Sequence, residues 1–133
     1  MTVDKVELSN AQAIMLPGGM GGVASITGSA RAMELIKAAY ADGKVYLAAI
    51  CAAPAVVLAP LGILEGRKAV CYPGMEGQMT GATPCVGEKT VVDGMVVTGQ
   101  GPGAAFDFGL KLVELLKGEA AARQVRDGAY YLI

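Results

Sequence analysis

The chain has 133 residues, 53% of them hydrophobic and 17% charged, with 19 glycines and a net charge of −1. This excludes a disordered chain and supplies the core of one domain over residues 1–133. There is no run of basic residues, no apolar run near the ~20 residues that span a bilayer, and no signal-peptide pattern, so no nucleic-acid or membrane partner is expected and a cytosolic location is.

Residues 1–11 are mixed and give no firm assignment. Residues 12–16 read as a short buried strand ending in Pro17-Gly18-Gly19. With Gly21 and Gly22 the glycines form a loop that can bring bare backbone amides close to a ligand or thiolate; the plain alternative is a flexible strand-to-helix turn. Ser29 suits the N-cap of a helix over 30–41, with Ala32, Met33, Leu35, Ile36, Ala39 and Tyr40 on one face and Gly43 as its stop. A second apolar strand over 45–50 completes a βαβ unit, the building block of a parallel sheet.

Cys51 follows that strand directly. Residues 52–58 read as a helix with Pro54 in its first turn, where no backbone donor is lost. A thiol between a buried strand and a helix start faces unpaired N–H groups and the positive end of the helix dipole, both of which favour thiolate. This arrangement is a nucleophile elbow.

Beyond Gly62, a C-cap, residues 68–72 read as a strand closed by Pro73-Gly74, with Cys71 as a small apolar core residue. Residues 75–85 read as an irregular loop, with Cys85 exposed. Residues 89–98 carry a hairpin signal centred on Asp93-Gly94. Gly99-Gln-Gly101-Pro-Gly103 opens a long helix whose apolar face is expected to hold Ala105, Phe106, Gly109, Leu112, Val113 and Leu116, ending at Gly118. Its glycine spacing is a poor match to a dinucleotide fingerprint. A shorter helix over 119–126 and an apolar tail, Tyr130 to Ile133, that packs onto the body complete the chain.

Three cysteines without C-x-x-C spacing suggest neither a disulfide framework nor a zinc knuckle. The chain has no histidine, which removes Cys-His and Ser-His dyads and most transition-metal sites. No metal or cofactor is expected.

Met15-Leu-Pro17-Gly-Gly19, Ala48-Ala-Ile-Cys51-Ala-Ala-Pro54 and the segment from Thr98 to Leu116 stand in an order and spacing that resemble the ThiJ/PfpI family, which includes the Parkinson disease protein 7 deglycase, and most resemble its bacterial YajL-like branch. The resemblance implies an α/β, flavodoxin-like three-layer sandwich with a mostly parallel sheet, as in class I glutamine amidotransferases, assembled as a homodimer. It implies Cys51 as the reactive cysteine and the amides of Gly19 and Ala52 as oxyanion or sulfinate donors, with Gly18 and Pro54 in support.

Family members also carry a strand-helix-strand arm ahead of the L-P-G-G strand, with a glutamate hydrogen-bonded to the reactive thiol. The opening of this chain resembles an internal part of longer members. The expectation is therefore a truncated product, a misassigned start or one half of a split pair, with a companion chain supplying the arm. Without the arm, such strands leave an unpaired edge and an uncovered face. A carboxylate on the sulfur would then have to come from Glu34, Glu65, Glu76, Asp107 or a partner.

The implied activity is defence against reactive carbonyls, of the cofactor-independent glyoxalase III or deglycase type, on methylglyoxal or its early adducts. Peptidase and glutaminase chemistry needs a histidine base that is absent. The alternative is a non-catalytic redox sensor or chaperone working through oxidation of Cys51.

Overall fold

Residues 45–50 are apolar throughout because the strand they form is covered on both faces. In the computed structural model, which describes residues 1–131, this strand is β2 (Tyr46–Ile50). It lies between β1 (Ala13–Leu16) and β6 (Val96–Gly99), parallel to both, and β5 (Thr90–Asp93) runs antiparallel on the far side of β6. The order β1-β2-β6-β5 is the mostly parallel sheet expected. A second, two-stranded sheet joins β3 (Lys68–Ala69) to β4 (Thr83–Pro84).

The register sorts the side chains. Leu16, Leu47, Ala49 and Val96 share the face that packs on Val23 of α1 (Met20–Thr27) and on Ile36 and Ala39 of α2 (Ala30–Asp42). Ala48 and Val97 share the other, covered by Phe108, Leu112 and Leu115 of α3 (Ala105–Lys117), against which α4 (Glu119–Gly128) packs. Three layers result. Ile36, Leu47, Leu58 and Leu64 are wholly enclosed, each worth about 1.5–3 kcal/mol of transfer free energy.

Local signals act as read at several points. The Ser29 hydroxyl accepts from the Ala32 amide at 3.2 Å, and Gly43 ends α2 with φ at 71°. Gly118 ends α3.

Elsewhere the structure corrects the reading. Gly21 and Gly22 belong to α1 rather than to a loop, because Val23, 1% exposed, anchors that helix in the core. The segment after Cys51 is not a regular α-helix: Pro54–Leu58 is a wide π turn and Ala59–Leu61 a tight 3-10 turn. Pro60 is the cause. It has no N–H for the Val56 carbonyl, so Ala59 reaches five residues back to Pro54 and Ile63 five back to Leu58.

The hairpin loop is Gly94-Met95, one residue later than Asp93-Gly94, since Asp93 pairs with Val96. Gly94 alone of the two has positive φ, the pattern of a type II′ turn. The expected strand over 68–72 is regular only at Lys68 and Ala69, and residues 75–85 include a 3-10 turn and β4.

The phase of α3 also differs. Phe108 faces the sheet, while Ala105 and Phe106 are exposed. A Cβ on Gly99 would lie 2.8 Å from the Phe108 ring, so the bare glycine makes the slot that Phe108 fills. Phe106 instead stacks on Tyr131, whose hydroxyl donates to Asp107 at 2.7 Å. Tyr130 is exposed, and Leu132 and Ile133 of the expected tail lie outside the described residues.

Strand β1 is less buried than expected. It forms an edge of the sheet, and Met15, on the α3 face, is 59% exposed. Among the described residues no strand pairs with the other side of β1.

Candidate active site

Cys51 leaves β2 with φ at 66°, one of two non-glycine residues with positive φ among those described. A side chain in that conformation is strained by about 1–3 kcal/mol and needs surroundings that hold it. The holding groups are identifiable. Cys51 N donates to Gly99 O at 3.0 Å, and Cys51 O accepts from Tyr72 N at 2.9 Å. From the third side comes Gly18, where an added Cβ would stand 2.5 Å from Cys51 Cβ and 3.1 Å from Sγ. Only glycine lets the end of β1 pack this closely on the elbow.

Thr98, buried in β6, sets the far wall. Its hydroxyl accepts from Val70 N at 3.0 Å, fixing the chain that carries Cys71 and Tyr72 beside the elbow.

The thiol opens onto a cleft of about 420 Å³ lined by Gly19, Met20, Ala52, Tyr72, Gly74 and Met75. Gly19 caps α1 with φ at 82°. Among the described residues nothing accepts the N–H of Gly19 or of Ala52. Both stand at the start of a helical segment, where the first N–H groups have no partner within it, and two such amides beside a nucleophile are suited to a developing oxyanion. Pro54 is buried at the start of the π turn behind them. A larger cleft, about 540 Å³, lies between β5, α3 and α4; no cysteine lines it, and its Lys89–Asp107, Lys111–Glu114 and Arg123–Glu119 charges pair with one another.

The DJ-1/PfpI family model matches residues 1–115. The chain belongs to the DJ-1/PfpI family. It is 39% identical over 116 residues to Protein dj-1beta of Drosophila melanogaster, covering 86% of this chain and 61% of that protein. It is 36% identical over 115 residues to the Parkinson disease protein 7 homolog of Danio rerio, covering 85% and 60%. The chain thus spans about three fifths of the length of these relatives. Among solved structures, Drosophila melanogaster DJ-1beta superposes with a TM-score of 0.89 at 32% identity, over 97% of this chain and 69% of the other. Oxidized Toxoplasma gondii DJ-1 gives 0.88 at 34% identity, over 98% and 70%.

In this DJ-1/PfpI chain the four acidic candidates are placed as follows. Glu34 pairs with Arg31 on the surface of α2, Glu65 lies against Gly81, and Asp107 takes Lys89 and Tyr131. Glu76 lines a small neighbouring pocket with Cys71 and Cys85, and its carboxylate accepts at 2.8 Å from the amide of Gly74, which lines the Cys51 cleft. Among the described residues no side chain hydrogen-bonds Cys51 Sγ, and no group of histidine, cysteine or carboxylate side chains is gathered to hold a metal.

Cys71 is 2% exposed, the core residue expected. Burial first, then the Glu76 carboxylate and Cys51, push its thiol from 9.0 up to about 11. It is therefore protonated at neutral pH. Cys85 is half-buried rather than exposed, because its amide bonds Ala69 O beside the small sheet.

Met20, Tyr72 and Met75 were not read from the sequence as site residues. A signal for Tyr72 exists: it follows the C-terminal end of a parallel strand, the side of an α/β sheet on which ligand crevices form. No helix among the described residues is long and apolar enough to cross a membrane.

Proposed function

We propose that this protein defends against reactive carbonyls and oxidants through Cys51, acting on methylglyoxal or its early adducts in the manner of a glyoxalase III or deglycase. The observation that carries the reading is the strained, clamped Cys51 opening beside the unpaired amides of Gly19 and Ala52. The thiolate attacks the aldehyde carbon, a C–S bond forms, and the π electrons of the carbonyl move to oxygen. Gly19 and Ala52 N–H would hold that oxyanion, a contribution of about 3–4 kcal/mol per donor in comparable sites. Moving the aldehyde proton to the neighbouring carbon gives a thioester, which water hydrolyses to the hydroxy acid, restoring the thiol.

That proton needs a carrier. We assign it to the glutamate that family resemblance places on an arm ahead of the L-P-G-G strand.

A second reading is favoured by the absence, among the described residues, of an acid or base on Cys51 Sγ. In it Cys51 is a redox sensor: a hydroperoxide oxygen is transferred to the thiolate to give sulfenic acid, a second gives sulfinic acid, and the same amides hold the sulfinate. That a relative from Toxoplasma gondii is known in an oxidized form supports it.

One experiment separates the two. Methylglyoxal consumption is measured for the wild type and Cys51→Ala, while peroxide oxidation of Cys51 is followed by intact mass. Turnover lost with Cys51→Ala is expected for the enzyme; sulfinate without turnover selects the sensor. Equal alkylation rates at Cys51 and Cys85 would overturn both.

A further inference from the structure

The walls of the Cys51 cleft carry a chemical preference of their own. Its side chains, Met20, Tyr72, Pro73 and Met75, include no lysine or arginine, and the Tyr72 hydroxyl is their one strong hydrogen-bonding group. A negative charge, the Glu76 carboxylate, is bonded to the amide of Gly74, one of the residues that line the cleft. The cleft's donors are the two amides placed at Cys51 for the reacting oxygen, and a carboxylate on the rest of a substrate would find no cationic side chain in the lining.

The apolar groups are accessible. Met20 is 65% and Tyr72 48% exposed, so a ligand entering from solvent covers hydrocarbon that is otherwise wet. Tyr72 is a fixed wall: its backbone amide is bonded to Cys51 O, and its ring lies 3.3 Å from where a Cβ on Gly101 would stand. The two methionines are adaptable walls, since an unbranched thioether refits to ligands of different outline.

We infer that this cleft selects uncharged aldehydes and α-oxoaldehydes bearing a hydrocarbon body over small or carboxylated ones, with Met20, Tyr72 and Met75 as the residues that set specificity. The inference rests on Cys51 being the reactive nucleophile, and it adds the class of electrophile. The hydrocarbon part lies between the methionines and the Tyr72 ring while the aldehyde carbon meets Sγ; the C–S bond forms as the carbonyl π bond opens, and the oxygen takes a proton.

The test does not depend on turnover. Second-order alkylation rates at Cys51 are measured by site-resolved mass spectrometry with N-methyl-, N-propyl- and N-hexylmaleimide, and with iodoacetamide against iodoacetate, each divided by the rate with glutathione. Each added methylene is expected to raise the normalised rate about twofold, as for partial burial of that group. Normalised iodoacetate is expected to fall at least about fivefold below iodoacetamide, and Glu76→Gln to recover part of that loss. Met20→Gln, at an exposed position, with Met75→Gln, at a half-buried one, should flatten the chain-length series. A normalised ratio near one in either series overturns the inference, and a chain-length slope that survives both substitutions overturns its assignment to the methionines. Failure to consume methylglyoxal would remove the enzymatic reading yet leave both alkylation series intact, so the two failures are distinguishable.

Discussion

At Cys51 the backbone conformation and the chemistry are joined. A left-handed φ at a residue with a Cβ is costly, and glycine adopts it freely. Cys51→Gly is therefore expected to be more stable than Cys51→Ala by about 1 kcal/mol, although alanine retains more of the native side chain; chemical denaturation of the two variants reads the difference. Gly18 sits under the same thiol for the opposite reason, lack of room. A Cβ there meets Cys51 Cβ and Sγ together, so Gly18→Ala must push the elbow away from β1. The expected cost is about 1–3 kcal/mol of stability, with Cys51 alkylation altered much more than Cys85 alkylation. Equal changes at the two cysteines would mean that the substitution loosens the fold generally.

Among the elements, those marked by a chemical stop or start were legible in the sequence. Ser29 and Gly43 bracket α2, Asp93-Gly94 marks the hairpin to within one residue, and the apolar run before Cys51 is β2. What was illegible depended on tertiary partners. Helix α1 carries two glycines of low propensity in its first turn and is held by the burial of Val23. The phase of α3 follows from an empty slot over Gly99 on another element, and the π turn follows from a proline six residues downstream of Pro54. The gathering of Gly18, Gly19 and Ala52 around Cys51 was legible because they lie in short contiguous motifs. The walls of the cleft were not, since Met20, Tyr72 and Met75 meet only when the chain is folded.

Arg67 shows the same dependence on tertiary structure. It joins the turn after Leu61 to the hairpin: Nε donates to Ile63 O at 3.1 Å, Nη1 to Asp93 O at 3.0 Å, and the guanidinium stands 5.8 Å from the centre of the Tyr40 ring. The Tyr40 hydroxyl and Asp93 raise its pKa, against a smaller opposing effect of burial. A lysine has one ammonium where this fork serves three elements. Arg67→Lys is expected to cost about 1–2 kcal/mol, measured by denaturation; no loss would show these bonds to be interchangeable with water.

For the whole molecule the informative titration is that of Cys71. Its thiol loses a proton near 9.0 when unfolded and near 11 when folded. Between those values the unfolded chain holds fewer protons than the folded one, so stability must fall as pH rises through that window. The decline is up to about 2–3 kcal/mol. Stability measured at pH 8, 9, 10 and 11 should show a shallower fall for Cys71→Ala than for the wild type, whatever the variant's offset at pH 8. Parallel curves would indicate that the buried thiol does not contribute to alkaline unfolding.

The hydrogen bond from the Tyr72 amide to the Cys51 carbonyl makes the nucleophile and the aromatic wall of its cleft one mechanical unit. If it breaks, the elbow loses a clamp and the wall loses its anchor at the same moment. Amide hydrogen exchange at Tyr72 is thus a clock for opening of the site, readable without substrate. An adduct on Cys51 that fills the cleft should slow that clock, while exchange at the Lys68 amide, outside the cleft and held by the Asp93 carboxylate at 2.9 Å, keeps its own time.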